Sequence, residues 1–361
     1  MSGRIVRIAI IGAGPAGGAS AIHLARLGYR VTLVERKAFP RAKVCGEYIS
    51  PAATEALERV VPTERLRSLG ATRAGSFSLR VDDRERTWAT PSEAWALSRG
   101  TLDAELAQSA QNLGVDLRLE SPVRSVAYAP LGARLVLDTG TLEADLVIHA
   151  DGLGRHDLAE PTRAAPGMLG HKCHALIPGG EVGVGMRAAR GAYVGTVTVE
   201  GGLSTIALCA REHLIRDHRG DADAMLGALW PAYRPAWRRG PWLACPVARS
   251  RYTEPGHARS VRLGNAAGAV DPVGGEGIGL ALWSAATFAD LLGAGADAEG
   301  LRRAKRELTR AYRRRLRTRR HACRLGAELL IRPALVRLAW PLLALPAVTI
   351  APWYRLTGKP G

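Results

Sequence analysis

The stretch from Arg7 to Glu35 constrains this chain more than any other. An apolar run, Ile8–Ile11, leads into a glycine turn, and an alanine-rich helical pattern follows it to Leu27. A second apolar run, Val31–Val34, ends at the acidic Glu35. This order of strand, glycine turn, helix, strand and acid predicts a βαβ unit that binds a dinucleotide.

The glycine turn meets each physical requirement of a pyrophosphate site. Its residues are Gly12, Ala13, Gly14, Pro15, Ala16 and Gly17. The first glycine permits a tight turn, the second lets the backbone approach a phosphate, and the third lets the helix pack closely on the sheet. The proline suits the first helical turn, whose free N–H groups attract anions. Glu35 can accept a hydrogen bond from a ribose hydroxyl and would repel a 2′-phosphate, which favours FAD or NAD over NADP.

Composition narrows the class of protein. The chain has 361 residues, of which 47% are hydrophobic, so it can bury the core of two interleaved domains. Its five cysteines are dispersed, with no CxxC pair and no metal-ligand spacing, and its first residues do not match a signal peptide. We therefore expect a cytoplasmic protein without a metal site.

The positive charge is concentrated near the C-terminus. The formal net charge is +17, and residues 302–324 hold eleven Arg and one Lys against one acid, which makes +11. Residues 298–332 have the pattern of one basic helix, and its apolar stripe is Leu301, Ala304, Leu308, Tyr312 and Leu316. The apolar stretch 338–352 is too short and too interrupted by proline to span a membrane.

Three interpretations of this C-terminal region stay open. The basic helix 298–332 could be a solvated surface helix that packs by its leucine stripe. Together with the apolar segment 338–353, it could instead form a patch for an anionic membrane or a lipid-like substrate. As a third possibility, it could dock an acidic carrier protein. Aromatic residues are sparse in the basic stretch, so nucleic acid is not an expected partner. A peripheral contact with a membrane would be compatible with a cytoplasmic location.

Further motifs lie far from the glycine turn. Arg99 precedes Leu102 and Asp103 at a predicted helix start, Asp151-Gly152 follows a predicted strand, and a glycine-rich segment runs from Gly264 to Gly279. Cys45-Gly46-Glu47 follows the first βαβ unit. With these motifs the chain resembles the FAD-dependent oxidoreductases of the p-hydroxybenzoate-hydroxylase fold. Within them it looks most like the geranylgeranyl-reductase branch, which is close to flavin monooxygenases and flavin halogenases.

The resemblance implies a set of cofactor-binding residues. These are Gly12, Gly14, Pro15, Ala16, Gly17, Glu35, Arg36, Cys45, Gly46, Arg99, Asp151, Gly152, Gly264, Asn265, Pro272, Gly275, Glu276, Gly277 and Ile278. Asn265 stands where the family usually carries Asp, and its amide oxygen can still accept a hydrogen bond. Cys45 and Glu47 are the candidate catalytic residues. Cys45 could donate a proton or be a small buried thiol, and Glu47 could act in acid–base catalysis or bond the backbone of the glycine loop.

The resulting expectation is an α/β fold, in which a Rossmann-like FAD-binding domain is interleaved with a β-rich substrate domain and followed by a helical tail. The FAD-binding domain takes residues 1–73, 99–165 and 256–296. The β-rich substrate domain takes 74–98 and 166–255, and the basic helical region takes 297–361. His171 and His174, within the β-rich part, are interpreted as surface or core histidines.

The function implied is an FAD-dependent oxidoreductase whose flavin is reduced transiently by NAD(P)H. The expected substrate is apolar: a prenyl or lipid chain, a quinone or a polyketide. The resemblance favours reduction of a carbon–carbon double bond. Two alternatives stay open: a monooxygenase that hydroxylates an aromatic or polyketide substrate through a flavin C4a-hydroperoxide, and a non-catalytic prenyl-chain escort of the same fold. The halogenase motif WxWxIP is absent from the sequence.

Overall fold

The computed structural model describes residues 4–152, 167–247, 252–253 and 257–359. The strands are β1 (Arg7–Ile11), β2 (Arg30–Val34), β3 (Tyr48–Ile49), β4 (Thr72–Val81), β5 (Arg84–Ala96), β6 (Asp116–Arg118), β7 (Val123–Ala129), β8 (Gly132–Leu137), β9 (Gly140–Ala144), β10 (Leu146–His149), β11 (Met168–Ala175), β12 (Val184–Ala189), β13 (Ala192–Thr198), β14 (Ser204–Arg211), β15 (Arg238–Pro246) and β16 (Ser260–Arg262). The helices are α1 (Pro15–Arg26), α2 (Thr54–Glu58), α3 (Thr63–Ser68), α4 (Arg99–Asn112), α5 (Glu212–Asp217), α6 (Ala222–Leu229), α7 (Gly277–Leu292), α8 (Ala298–Leu330), α9 (Pro333–Leu343) and α10 (Ala351–Leu356).

A five-stranded parallel sheet holds the predicted dinucleotide unit. Its order is β16-β10-β1-β2-β6, so β1 and the glycine turn after it lie at the centre. Helix α1 packs between α4 and α7 on this sheet, and the inner residues of β1, Ile8–Ile10, are fully buried. A central parallel strand is apolar on both faces because helices or further strands cover both of them. The predicted Rossmann-like α/β fold is confirmed.

A second sheet has eight strands in the order β15-β11-β14-β13-β12-β4-β5-β3. It joins two stretches that are distant in sequence, because β4 pairs in parallel with β12, with Phe77 opposite Val184. The small meander β7-β8-β9 forms a third sheet. The expected domain boundaries at residues 165 and 255, and Leu153 and Gly154 after the Asp-Gly motif, lie outside the described residues, so the domain division stays a prediction.

Two helices are shorter than the sequence pattern predicts. The helix expected over Pro51–Val60 is a 3₁₀ turn, Pro51–Ala53, followed by the five-residue α2. The helix expected from Asp221 to Tyr233 ends at Leu229. Pro231 accounts for this end, because a proline disfavours helical backbone in the residue before it and cannot donate a helical hydrogen bond.

The basic helix predicted near the C-terminus is α8, which is 33 residues long. All five residues of the predicted stripe are buried, together with Cys323, Ala327 and Leu330. Helices α9 and α10 follow it. Pro341 lies inside α9 and does not end that helix as the sequence predicts, whereas Pro352 lies in the first turn of α10. Within the described residues, no helix has both the length and the apolar character needed to cross a bilayer.

Candidate functional site

Three sequence-distant segments meet at the glycine turn. A Cβ on Gly17 would lie 1.8 Å from the carbonyl oxygen of Gly12, so only glycine lets α1 start this close to β1. Gly12 has a φ of +96°, and a Cβ there would lie 2.7 Å from the Cα of Asp151. Gly264 is equally close to the turn, since its Cβ would lie 3.0 Å from that of Ala16. The fold thus brings the glycine turn, the Asp151-Gly152 motif and the start of the glycine-rich segment at Gly264 to one place.

Two arginines border this turn. A Cβ on Gly14 would be 3.3 Å from Nη2 of Arg99 and 4.0 Å from Nη2 of Arg41. Arg99 donates both arms of its guanidinium to the buried Asp103, at 2.8 and 2.7 Å. Nη2 of Arg41 lies 3.0 Å from a carboxylate oxygen of Glu35 and 3.5 Å from one of Asp103. Both cations therefore approach the turn with their positions fixed by buried carboxylates.

Arg41 has donor groups left over. Its Nε and Nη1 are buried and have no hydrogen-bond partner among the described residues. A buried, unsatisfied donor is costly, and most such groups in folded proteins have a partner. Beside a glycine turn and the N-terminus of α1, the partner that fits is an anion. The donors and the open backbone fit the pyrophosphate of a bound dinucleotide.

The other predicted residues near this turn differ in their surroundings. Glu35 is buried and accepts hydrogen bonds from the backbone N–H groups of Ala13 and Lys37, both at 3.1 Å. Arg36 is exposed, and Asn265 is half-buried in the 3₁₀ turn Gly264–Ala266. Glu35 therefore lies at the glycine turn, and Asn265 directly follows Gly264, which packs on the same turn. The Arg36 side chain lies in solvent.

The glycine loop before α7 is held by an ionic cluster. The buried carboxylate of Glu276 accepts a hydrogen bond from Oγ of Ser50 at 2.9 Å and one from Nη1 of Arg319 at 2.9 Å. Nζ of Lys359 lies 3.1 Å from the same carboxylate and donates to the Gly274 carbonyl at 2.9 Å. Arg319 belongs to α8 and Lys359 follows α10, so the C-terminal region fixes this loop. The Glu276 side chain, predicted to bind the cofactor, is occupied by these contacts.

An apolar cavity adjoins the same loop. Its described lining is Gly46, Tyr48, Phe77, Val184, Met186, Tyr193, Gly195, Thr196, Val197, Ala207, Cys209, Pro272, Val273, Gly274, Gly275, Trp353, Tyr354 and Lys359. The loop packs tightly against this lining, since Gly275 has a φ of +65° and its Cβ would lie 2.6 Å from Cδ1 of Tyr48. One wall of the cavity is thus the glycine-rich segment, and another is the eight-stranded sheet. Trp353, Tyr354 and Lys359 from the C-terminal region complete the lining.

The predicted catalytic residues are not part of this lining. Gly46 and Tyr48 line the cavity, whereas the alternate residues Cys45 and Glu47 do not. Sγ of Cys45 accepts a hydrogen bond from the Glu47 N–H at 3.3 Å. Burial raises the pKa of the Cys45 thiol, although the charge of Arg99 opposes that shift. Cys45 is therefore a neutral thiol on the side of the chain that faces Arg99.

Glu47 is the centre of a buried polar cluster. Its Oε1 accepts hydrogen bonds from Nζ of Lys172 at 2.9 Å and from the Arg99 N–H at 2.8 Å. Its Oε2 lies 2.7 Å from Nε2 of His174 and also accepts from the Thr205 hydroxyl. Burial alone would raise the pKa of Glu47, but the bond to His174 and the charge of Lys172 outweigh it and lower the pKa to about 2.

The contacts of Glu47 differ from both roles that the sequence suggested for it. A carboxyl with a pKa of about 2 is ionised at neutral pH and has no proton to give. Its bonds also go to β11, β14 and the start of α4 rather than to the glycine loop. Glu47 is therefore a structural anion that links the large sheet to α4, and His174, interpreted as a surface or core histidine, is one of its partners.

The polar groups that face the cavity are chiefly neutral hydroxyls. The Tyr193 hydroxyl donates to Oδ1 of Asp271 at 2.8 Å, and burial raises the pKa of Tyr193 well above its usual value. The hydroxyls of Tyr48 and Tyr354 are 3.4 Å apart, and burial likewise raises the pKa of both. A molecule in this cavity would therefore contact apolar side chains and these hydroxyl groups.

Sequence reasoning missed Arg41, Lys172, Tyr193 and Lys359. The sequence could have indicated Lys172, because it is a charged residue inside a strand whose other residues are mostly apolar or small. A lysine that is only 2% exposed needs a buried partner of opposite charge. Lys359 gave no comparable signal, since it lies near the end of the chain and reaches the glycine loop only through tertiary packing.

Comparison with protein families identifies the nucleotide. A family model described as "FAD binding domain" matches residues 5–160. This part of the chain is similar to FAD-binding domains. The fold of the described chain is also that of solved flavoproteins. The flavin-dependent brominase Bmp2 superimposes with a TM-score of 0.75 at 17% identity, over 97% of this chain and 93% of that one. PqsL of P. aeruginosa superimposes with a TM-score of 0.73 at 17% identity, over 93% and 99%.

Curated relatives match mainly in that domain. A menaquinone reductase of Mycolicibacterium smegmatis is 34% identical over 155 residues, which are 40% of this chain and 37% of the relative. The FAD-dependent monooxygenase OpS4 of Beauveria bassiana is 30% identical over 159 residues, or 41% and 37%. The chain thus spans little more than a third of the length of these relatives. The expectation of FAD as the cofactor is confirmed, the activity of an FAD-dependent enzyme is a proposal, and the geranylgeranyl-reductase branch stays a prediction.

The position of Arg41 beside the glycine turn predicts that its side chain contacts bound FAD. We expect Arg41→Gln to weaken FAD binding about tenfold to a hundredfold, since a hydrogen bond to a charged group contributes about 1.5–3 kcal/mol. Titration of the FAD-free protein with FAD, followed by flavin fluorescence, measures the change. Arg84→Gln is the matched control, because that arginine is exposed at the start of β5 and is not among the predicted cofactor-binding residues. Equal effects of the two substitutions would contradict the role assigned to the buried donors of Arg41.

Proposed function

We propose that this protein is an FAD-dependent monooxygenase that hydroxylates an apolar aromatic or polyketide substrate in the cavity beside the glycine loop. NAD(P)H is the proposed transient donor of two electrons. One atom of O₂ enters the substrate as a hydroxyl group and the other leaves as water, so electrons and atoms balance. FAD, when bound, supplies the redox chemistry. The observation that carries the proposal is that residues 272–275, within the glycine-rich segment that the resemblance assigns to FAD binding, form one wall of an apolar cavity.

The residues around the cavity suit such a substrate. The apolar walls, including Phe77, Met186 and Trp353, exclude water and bind apolar surface. Tyr193 donates its own proton to Oδ1 of Asp271, and we propose that its oxygen accepts a hydrogen bond from a substrate hydroxyl. This contact would orient a phenol-like ring relative to the glycine loop. The similarity to the monooxygenase OpS4 supports the same interpretation.

Reduction of a carbon–carbon double bond is the second candidate. The similarity to menaquinone reductase favours it. It requires a proton donor next to the substrate, and the motif that suggested one, Cys45-Gly46-Glu47, contributes only Gly46 to the described lining. A neutral tyrosine hydroxyl such as that of Tyr48 could supply the proton instead. Hydroxylation is therefore the first candidate reaction and reduction the second.

Product mass distinguishes the two reactions. The purified protein, expected to be yellow with bound FAD, is mixed with NADH or NADPH and either an alkyl-substituted phenol or a prenylated quinone, in air and under nitrogen. A product that gains one oxygen atom, only in air, supports the monooxygenase. A product that gains two hydrogen atoms under nitrogen, and keeps them after the quinone ring has been reoxidised in air, contradicts it and supports the reductase. A colourless protein that does not bind added FAD would overturn both and favour the non-catalytic escort.

A further inference from the structure

We infer that the outward faces of α9 and of the second half of α8 form a docking surface for an anionic lipid bilayer. This docking surface is defined by Leu335, Leu338, Leu342 and Leu345 together with Arg317 and Arg324. The inference goes beyond the proposed reaction and does not depend on it, because it concerns where the protein binds rather than what it converts.

Helix α9 has two apolar faces, and the described residues cover only one of them. Its inner face carries the buried Val336 and the partly buried Trp340 and Leu343, which pack on the main core. Its outer face carries the exposed leucines, spaced three and four residues apart, as one stripe of a helix requires. Their exposed fractions are 42% for Leu335, 80% for Leu338 and 63% for Leu342, with Leu345 just after the helix at 49%.

The second half of α8 contributes the positive charge. Arg314, Arg317 and Arg324 are exposed and lie on the side of the helix opposite its buried stripe. None of them forms an ion pair with a residue of the described chain. Leu325 and Leu329, which are 63% and 40% exposed, lie beside them on the same helix. Surfaces that bind at a membrane interface typically combine cationic side chains with exposed leucines in this way.

Two acidic residues near this surface, Glu328 and Asp82, already have cationic partners. Glu328 lies 2.8 Å from Arg332, and Asp82 lies 3.1 Å from Arg337, so neither leaves a free negative charge against an anionic partner. An acidic carrier protein would complement the charge of the arginines, but its acidic surface would not cover Leu338, which is 80% exposed. A bilayer with anionic headgroups complements both, because acyl chains cover the leucines and headgroups pair with the arginines.

The position of the surface also suits an apolar substrate. Helix α9 packs on β4 and β12, the strands that contribute Phe77 and Val184 to the cavity. The segment after α9 is anchored where Nε1 of Trp88 donates to the Val348 carbonyl at 2.9 Å. It then leads into α10, which lines the cavity with Trp353 and Tyr354. A substrate dissolved in the bilayer would thus reach the cavity along a short stretch of the chain.

Vesicle flotation of the full chain tests this inference without any substrate. We expect binding to vesicles of phosphatidylcholine with phosphatidylglycerol, weaker binding to phosphatidylcholine alone, and weaker binding at high salt. Arg317→Ala combined with Arg324→Ala should lower binding about thirtyfold, since each cation near an anionic surface contributes about 1 kcal/mol. Leu338→Glu combined with Leu342→Glu should lower it at least about tenfold, because both leucines would lose contact with acyl chains.

Two control substitutions test whether vesicle binding depends on the docking surface itself or on any exposed arginine or leucine. Arg30→Ala removes an exposed arginine at the start of β2, and Leu131→Glu replaces a leucine that is 65% exposed in the β7–β8 turn. Both controls should bind vesicles like the original protein, and all variants should keep its thermal unfolding midpoint. Undiminished flotation of the Leu338 and Leu342 variant would overturn the inference. Binding to polyglutamate without binding to vesicles would also overturn it and favour an acidic protein partner.

Discussion

Glu47→Gln is expected to lower the free energy of unfolding by about 3–5 kcal/mol, since it leaves a buried ammonium without its counter-charge. Lys172 is only 2% exposed, and its Nζ lies 2.9 Å from the Glu47 carboxylate. The substitution keeps the size of the side chain, so the loss reports on charge rather than on packing. Urea denaturation at neutral pH, followed by tryptophan fluorescence, measures it.

The same cluster predicts a dependence on acid. Glu47 has a folded-state pKa of about 2, below the value of 4.5 expected in the unfolded chain. Its stabilisation is therefore complete above about pH 4.5 and is lost as the pH falls towards 2. The shift corresponds to about 3 kcal/mol. The original protein should lose this stability in that window, whereas the Glu47→Gln variant should show a correspondingly shallower decline.

Glu55→Gln is the matched control for both measurements. Glu55 is exposed on α2, so its neutralisation should change the free energy of unfolding by no more than about 0.5 kcal/mol. If Glu47→Gln were as mild as Glu55→Gln, the buried carboxylate would not be the anion that holds Lys172. If it were destabilising but its acid profile matched that of the original protein, the low pKa assigned to Glu47 would be wrong.

Gly17→Val is expected to abolish retention of FAD through purification. The first atom of any side chain at this position would lie 1.8 Å from the Gly12 carbonyl oxygen, and that oxygen belongs to the backbone of the turn. Helix α1 would have to move away from β1, and its N-terminal N–H groups would leave the place where a phosphate binds. Overpacking of this kind also costs about 1–3 kcal/mol or more of stability. Absorbance of the purified protein at flavin wavelengths measures the bound cofactor.

Gly227→Ala supplies the control for that substitution. Gly227 lies within α6, where a Cβ would have no described neighbour within 4 Å, and its backbone does not need a positive φ. Alanine there should leave FAD binding unchanged and stabilise the protein slightly, by about 0.4–1 kcal/mol. A Gly17→Val protein that unfolds cooperatively and remains as yellow as the original would contradict the role given to the close approach of α1 and β1.

Some of this site could be predicted because its geometry is local in sequence. The glycine turn, α1 and Glu35 lie within one βαβ unit, so the spacing of glycines and apolar runs was sufficient to predict them. The basic helix α8 was predictable for the same reason, since an apolar stripe of period 3.6 depends only on neighbouring turns. The sheet that joins β4 to β12 was less accessible, because more than a hundred residues separate the paired strands.

The roles of individual charges were decided by tertiary structure. Glu47 and Glu276 stand in motifs that suggested contact with cofactor or substrate, and only the fold shows which cations reach each carboxylate. Glu47 meets Lys172 from β11, and Glu276 meets Arg319 from α8 and the distant Lys359. The pKa of a carboxyl depends on burial and on charges a few ångströms away, and such distances are not encoded in local spacing.

The sequence by itself therefore determined that this chain binds a dinucleotide and has a basic C-terminal helix, because both properties arise from residues that are neighbours along the chain. Tertiary structure decided that Arg41 keeps free donors beside the glycine turn, that Cys45 and Glu47 lie off the cavity, and that the leucines of α9 remain uncovered among the described residues. These properties depend on which surfaces are buried against each other, and burial is settled only when the whole chain has folded.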